Sequence, residues 1–195
     1  MNQFDMINLK NAIKAFLQEH DCEETYNHCI AVGDYAAQLA GQFAIDSEKA
    51  RAAGYLHDIS AIYPNNQRIA IAQQLGIELV TEEMVLPMII HQKISKVMAE
   101  RLFAVDDGEV LSAIECHTTL KGEHSKLDLV VFIADKIKWD QPGEPPYLQG
   151  LQNALNNSLE EAAYFYIDYI LHNNIKVVHP WLQAGYTSLQ FDLEK

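Results

Sequence analysis

Four histidines and two aspartates stand out in this chain: His28, His57, Asp58, His91, His117 and Asp135. Five of the six positions lie at the edge of, or inside, apolar helical stretches. Imidazole and carboxylate groups aimed into a core need partners, because an unpaired buried carboxylate is costly. Asp135 is embedded in Val130-Val131-Phe132-Ile133-Ala134, His91 follows Met88-Ile89-Ile90, and His117 closes the apolar run from Leu111. A neutral imidazole offers one good nitrogen donor, and an aspartate has two oxygens and can bridge two cations. A metal centre gives all six residues one common reason.

Each element alone has a plainer explanation. His57-Asp58, after Ala52-Ala53-Gly54-Tyr55-Leu56, fits a histidine at a helix end followed by a capping aspartate. A single histidine such as His28, one turn before Val32, is more often a hydrogen-bonded core residue than a ligand. The set carries the metal reading, not any member. Around it, Thr118 and Thr119 can donate hydrogen bonds to a phosphate oxygen or simply end a helix. Lys121 and Lys126 can offset an acidic background or be surface lysines. His179, ahead of Pro180, is a candidate substrate contact. Trp139 and Tyr147 can stack a base or anchor their loop. His20, His124 and His172 have no place in the pattern.

The elements that must position these residues read as helices. Val32, Ala36, Leu39, Ala40 and Phe43 recur at helical spacing across 26–43. Asp46-Ser47 offers a cap for a second helix over 48–56. A third spans 67–75, stopped by Gly76. Thr81 opens another, interrupted by Pro87, and helical faces follow over 94–103 and 110–114. Residues 127–137 are β-branched enough to pass for a buried strand, but helical neighbours and the lack of a partner strand favour a buried helix. Residues 151–171 read as the longest helix, packed internally or in a homodimer. The stretch 139–147 holds prolines and a glycine and reads as a loop. The tail from Ile175 is expected to pack back onto the domain.

The chain has 195 residues and a formal net charge of −13, with a sequence pI near 4.9. This length suits one domain with an extension. The charge argues against a general affinity for DNA, RNA or anionic lipid, yet leaves room for a small phosphate ester beside a dication. Three cysteines match no disulfide or zinc pattern. No signal peptide is evident, and no stretch approaches the roughly 20 apolar residues of a membrane span. A soluble, cytoplasmic protein with no membrane partner is expected.

The order His…His-Asp…His…His…Asp resembles the HD-domain superfamily of metal-dependent phosphohydrolases, and within it the YqeK-type symmetrical diadenosine tetraphosphate hydrolases. The strings Tyr26-Asn27-His28, Gly54-Tyr55-Leu56-His57-Asp58, Glu115-Cys116-His117-Thr118-Thr119 and Phe132-Ile133-Ala134-Asp135-Lys136 carry the resemblance. It covers roughly residues 10–190 and implies an all-α HD-domain helical bundle around a dinuclear metal site. The whole chain would be one such domain, its core over about 20–140 and a helical extension over about 147–195. It further implies that His28, His57, Asp58 and Asp135 hold one metal ion. His91 and His117 add a second, with Asp58 as the bridge. The ions, typically iron, with manganese, zinc or nickel also suited, would activate a water to split a phosphoanhydride. The implied substrate is a dinucleoside polyphosphate, cut symmetrically, with Thr118, Lys121 and His179 as its contacts.

Departures from the family pattern bear on the substrate rather than on the ligands. Lys121 stands where the family tends to have an arginine, and a lysine cannot bind phosphate bidentately. Ala61 stands where it tends to have a lysine. Lys136-Ile137-Lys138-Trp139 replaces its acidic, proline-containing continuation. Two alternatives follow: an HD phosphohydrolase acting on another nucleotide or phosphoester, and a nucleotide-binding regulatory module without turnover. A third gives the histidines structural roles only.

Overall fold

The computed structural model describes residues 5–173 and 175–194. Among these residues the chain is helical, with no strand. The helices are α1 (Met6–Glu19), α2 (Glu23–Gln42), α3 (Ser47–Leu56), α4 (Arg68–Leu75), α5 (Thr81–Val85), α6 (His91–Leu102), α7 (Gly108–Cys116), α8 (Lys126–Ile137), α9 (Leu148–Leu155), α10 (Leu159–His172) and α11 (Pro180–Leu193). Single 3₁₀ turns at Ile59–Ile62 and Pro87–Ile90 lead out of α3 and into α6. No helix of the described residues is long and apolar enough to cross a membrane.

Local chemistry sets the boundaries. Asp46 caps α3 by accepting from Glu48 N and Lys49 N at 2.9 and 3.1 Å. Asp107 does the same for α7, and Ser125 with Asp128 forms a capping box at α8. Each such cap satisfies backbone donors that a helix start leaves free, for about 1 kcal/mol. Gly76 ends α4 at φ +76°, a conformation that costs glycine nothing.

The core is one cluster. Val32, Ala36 and Leu39 of α2 meet Ala52, Ala53 and Leu56 of α3, Ala113 and Ile114 of α7, and the apolar face of α8. Residues 126–137 are the buried helix that their neighbours implied: Leu129 to Ala134 are all buried. Burying side chains of this kind stabilises by about 1.5–3 kcal/mol each.

The tightest packing is between α2 and α3. A Cβ on Gly54 would lie 2.5 Å from Gly33 Cα, and one on Gly33 would lie 2.2 Å from a Tyr55 ring carbon. Only two glycines allow the backbones this close. Tyr55 Oη then reaches across to donate to Asp34 at 2.8 Å. This approach sets the separation of His28 from His57.

Residues 151–171 do not form one helix. The chain breaks at Asn156-Asn157, and Ser158 caps α10 by accepting from Glu161 N at 3.0 Å. Short polar side chains that bond backbone compete with helix continuation. α9 folds back on α10 where Gly150 admits the Phe165 ring, and α2 is the longest helix. The N-terminal helix α1 was not expected, although Leu9, Ile13, Phe16 and Leu17 recur at helical spacing and pack on the core. The tail does return, as α11.

A buried ionic group anchors that return. Glu83 accepts from Lys93 Nζ at 2.9 Å and from His179 Nε2 at 3.3 Å. His179 Nδ1 accepts from Trp181 N at 3.1 Å, so the ring caps α11 and carries its proton on Nε2. Burial opposes the Glu83 charge, but His179 and Lys93 outweigh it and hold the carboxyl below its ordinary range.

Two outcomes are expected. Gly54→Ala should cost about 1–3 kcal/mol by overpacking, read as a lower urea midpoint; a change within about 0.5 kcal/mol would refute the close approach. Glu83→Gln should cost on the order of 3 kcal/mol at neutral pH, since it leaves Lys93 unpaired in the core. Because the folded pKa of Glu83 is depressed, its contribution is whole above the free carboxylate value of about 4.3 and is lost as pH falls through the depressed value. The gap between wild type and Glu83→Gln should therefore close in acid.

Candidate metal centre

All six residues singled out by type and spacing meet in one cluster; five line a pocket and His57 is buried behind it. His28 comes from the second turn of α2. His57 ends α3 and Asp58 follows it. His91 opens α6, His117 ends α7, and Asp135 lies in α8. The helix ends matter, because they leave carbonyls without intrahelical partners. His57 Nδ1 donates to Gly54 O at 2.7 Å and His117 Nδ1 to Ile114 O at 2.8 Å. His91 Nδ1 donates to Met88 O at 2.5 Å. A carbonyl only accepts, so in each neutral ring the proton is on Nδ1 and Nε2 is a bare acceptor.

These bare nitrogens face one another. His91 Nε2 and His117 Nε2 are 2.9 Å apart, while His57 Nε2 lies 3.2 Å from His28 Nε2, which itself faces Asp135 Oδ1 at 3.2 Å. Two lone pairs at that distance repel unless a cation lies between them. Nitrogens bound to one ion at about 2.1 Å would be about 3 Å apart at a right angle, which matches both pairs. The carboxylates complete the donor sets. Asp58 Oδ1 lies 3.2 Å from His91 Nε2 and 3.6 Å from His117 Nε2, while its Oδ2 lies 3.8 Å from His57 Nε2. Asp135 Oδ1 lies 3.2 Å from His28 Nε2 and 3.4 Å from His57 Nε2.

Two groups can therefore each hold a metal ion: His28, His57 and Asp58, and Asp58, His91 and His117. Asp135 stands beside the first. Asp58 belongs to both and presents a different oxygen to each.

The electrostatics suit cations. Burial would raise the Asp58 carboxyl, but His57, His91 and His117 outweigh it and hold it well below the usual range. Burial likewise opposes Asp135, which Lys136 and His28 keep ionised. Burial pushes His91 and His117 down, so both favour the neutral, ligating form. Burial opposes protonation of His57 too, yet Asp58 overcomes it and raises this ring well above its ordinary value.

Further residues hold the pocket and were not singled out in the sequence. Lys136 Nζ, buried against the Phe132 and Tyr166 rings, donates to Asp135 Oδ2 at 2.6 Å and to His117 O at 3.1 Å. Its signal was available: a cation inside an apolar helix, directly after Asp135. Gln92 Oε1 accepts from Thr118 N at 3.0 Å and its Nε2 donates to Thr119 Oγ1 at 2.9 Å, which fixes the turn after His117. A buried glutamine after His91 has no sequence signature of its own.

A cavity of about 480 Å³ opens from the donors, with Thr118 and His179 on its wall. Leu86, Tyr166, Ile170 and Leu182 make an apolar side, and Trp139 stands at its rim. Thr118 Oγ1 is 3.0 Å from His91 Nε2. Lys121 is placed elsewhere and does not line this cavity. Leu120 turns at φ 55° and is buried, and Lys121 Nζ donates to Ser112 Oγ at 2.6 Å, outside the lining. Lys126 pairs with Glu160. Tyr147 is buried, packs edge-on against Trp139 and donates to Lys136 O at 3.2 Å, so it anchors its loop.

The chain belongs to the HD domain family, which matches residues 25–140, the stretch that carries all six donors. Fold and site together define an HD-domain hydrolase related to symmetrical bis(5'-nucleosyl)-tetraphosphatases. Among its relatives, the enzyme of that name from Staphylococcus aureus (strain NCTC 8325 / PS 47) is 31% identical over 134 residues, 68% of this chain and 67% of that one. A protein of Lactococcus lactis subsp. cremoris, described as an uncharacterized protein in the pepC 5' region, is 49% identical over 149 residues, 76% of each chain. A crystal structure from Clostridium acetobutylicum, described as a predicted HD superfamily hydrolase involved in NAD metabolism, aligns with a TM-score of 0.83 at 28% identity. It covers 93% of this chain and 97% of that chain.

His117→Ala should remove one donor group and leave the other. Elemental analysis of protein reconstituted with manganese or iron is expected to show about one ion fewer per chain, whereas Asp58→Ala should reduce both. Equal metal content in wild type and His117→Ala would break the two-ion reading.

Proposed function

We propose that the chain hydrolyses the central phosphoanhydride of a dinucleoside polyphosphate, converting diadenosine tetraphosphate into two molecules of ADP. The observation that carries this reading is the shared carboxylate. Asp58 divides its two oxygens between two imidazole groups, as a phosphoryl-transfer site with two cations requires. The name of the Staphylococcus aureus relative supports the substrate.

His28, His57, Asp58 and Asp135 would hold one cation, and Asp58, His91 and His117 the other. Iron is the metal we favour, and the donor set also suits manganese, zinc and nickel. When bound, the cations supply Lewis acidity to phosphoryl oxygens and make water nucleophilic near neutral pH. One water is consumed: its oxygen bonds to one central phosphorus, the bridging oxygen leaves with the second ADP, and the water's two protons pass to solvent as both new terminal phosphates ionise. The chain's own residues position and shield. Thr118, with its hydroxyl at the pocket floor and its backbone held by Gln92, donates to a phosphoryl oxygen. Lys136 keeps Asp135 ionised and in place. The apolar wall of Leu86, Ile170 and Leu182 keeps solvent from one nucleoside. His179 contacts the nucleotide from a ring already fixed by Glu83.

A second reading has one observation in its favour: the Clostridium acetobutylicum neighbour is described as acting in NAD metabolism. The substrate would then be another nucleotide anhydride at the same centre.

Metal-loaded protein assayed against diadenosine tetraphosphate, NAD, ADP and a simple phosphomonoester separates the two. ADP should be the sole product of the first, and Asp58→Ala should lower its kcat/KM by at least about a thousandfold, a loss of some 4 kcal/mol. Intact diadenosine tetraphosphate beside cleaved NAD would select the second reading.

A further inference from the structure

The cavity described above is not the sole space that reaches the donors. A groove of about 800 Å³ meets them from the other side, and it shares His28, Asp58, Trp139 and Asp140 with the cavity. Both volumes fall within the range of small-molecule sites, about 300–1,000 Å³. Their walls differ. The cavity has the apolar side already named. The groove runs along the first turns of α2 and the loop after α8, past Glu24, Thr25, Asn27, Lys138 and Gln141. The Trp139 side chain is 42% exposed and forms the ridge between them.

A hydrolase acting on one nucleotide needs one nucleotide-sized space beside its cations. A symmetrical cut puts the cations at the midpoint of the substrate, with two equal halves leaving in opposite directions. We propose that the groove binds the second nucleotide half of a dinucleoside polyphosphate whose first half occupies the cavity. This rests on the proposed function and adds the site that makes the cut symmetrical.

The chemistry of the groove fits that half in order. Its inner end is His28 and Asp58, where the phosphates must lie. Lys138, with Nζ 4.6 Å from the Tyr35 ring centre, is the cation on its wall and meets the phosphate next along. One turn of α2 before His28, Glu24 accepts from a ribose hydroxyl or an exocyclic amine, and Thr25, Asn27 and Gln141 offer further donors and acceptors. The polyanion stays at the metal end, and the neutral nucleoside lies against the acidic outer end. Ala31, exposed on α2, is the smallest side chain of the wall and leaves the groove open.

The test is calorimetric titration of the metal-loaded protein with two probes. One is diadenosine tetraphosphate carrying a methylene in place of the central bridging oxygen, and the other is ADP. Ala31→Trp fills the groove and should weaken the dinucleotide by about tenfold or more, some 1.4 kcal/mol, while ADP affinity stays within about twofold. Lys138→Glu should act in the same direction, and it carries the test should Ala31→Trp lose metal or helicity. Unchanged dinucleotide affinity in both variants overturns the groove assignment, whatever the turnover; so does an equal loss for both probes. Wild-type protein that leaves the unmodified dinucleotide intact, yet loses binding of its analogue in Ala31→Trp, overturns the hydrolase reading and supports the groove.

Discussion

The structure is organised around a repulsion that the protein alone does not relieve. Three histidines commit their Nδ1 protons to backbone carbonyls, which turns bare Nε2 atoms toward one another and toward two ionised aspartates. Neutral packing offers no remedy for facing lone pairs about 3 Å apart, and burial removes the water that would otherwise separate them. Cations do offer one. The same hydrogen bonds that create the conflict also stop the rings from rotating away, so the site is organised in advance for what it binds.

That rigidity comes from where the rings are mounted. Helix ends supply the unsatisfied carbonyls at Gly54 and Ile114, and the glycine contact between α2 and α3 sets how closely the first two imidazoles approach. The apolar faces of α7 and α8 bring His117 and Asp135 to the same pocket. The packing core and the metal centre are thus one construction, in which the core sets the distances and the helix ends set the ring orientations.

The helices after residue 140 serve a different purpose. They contribute no donor, but α10, α11 and the segment between them wall the cavity, and the Glu83–Lys93–His179 cluster ties the last helix to the first half of the chain. The loop carrying Trp139 divides the space in front of the donors. An HD centre with this cover presents a mostly apolar wall on one side and a more polar one on the other.

By itself the sequence determined the helical class, most helix positions and which six residues would cluster, because each of these leaves a local mark. Periodicity marks the helices, caps mark their starts, and a charged or imidazole group inside an apolar run marks a site that needs a partner. Three features had no such mark. The break at Asn156-Asn157-Ser158 sits in a stretch whose apolar spacing continues unbroken across it. Lys121 lies two residues beyond Thr119, yet its direction depends on the backbone turn at Leu120. Gln92 and Glu83 act through partners 10 to 96 residues away, among them Thr119, Lys93 and His179. Only the tertiary structure decided these, along with the division of Asp58 between two imidazole groups, because distance and orientation between remote segments arise from packing and not from the order of residues along the chain.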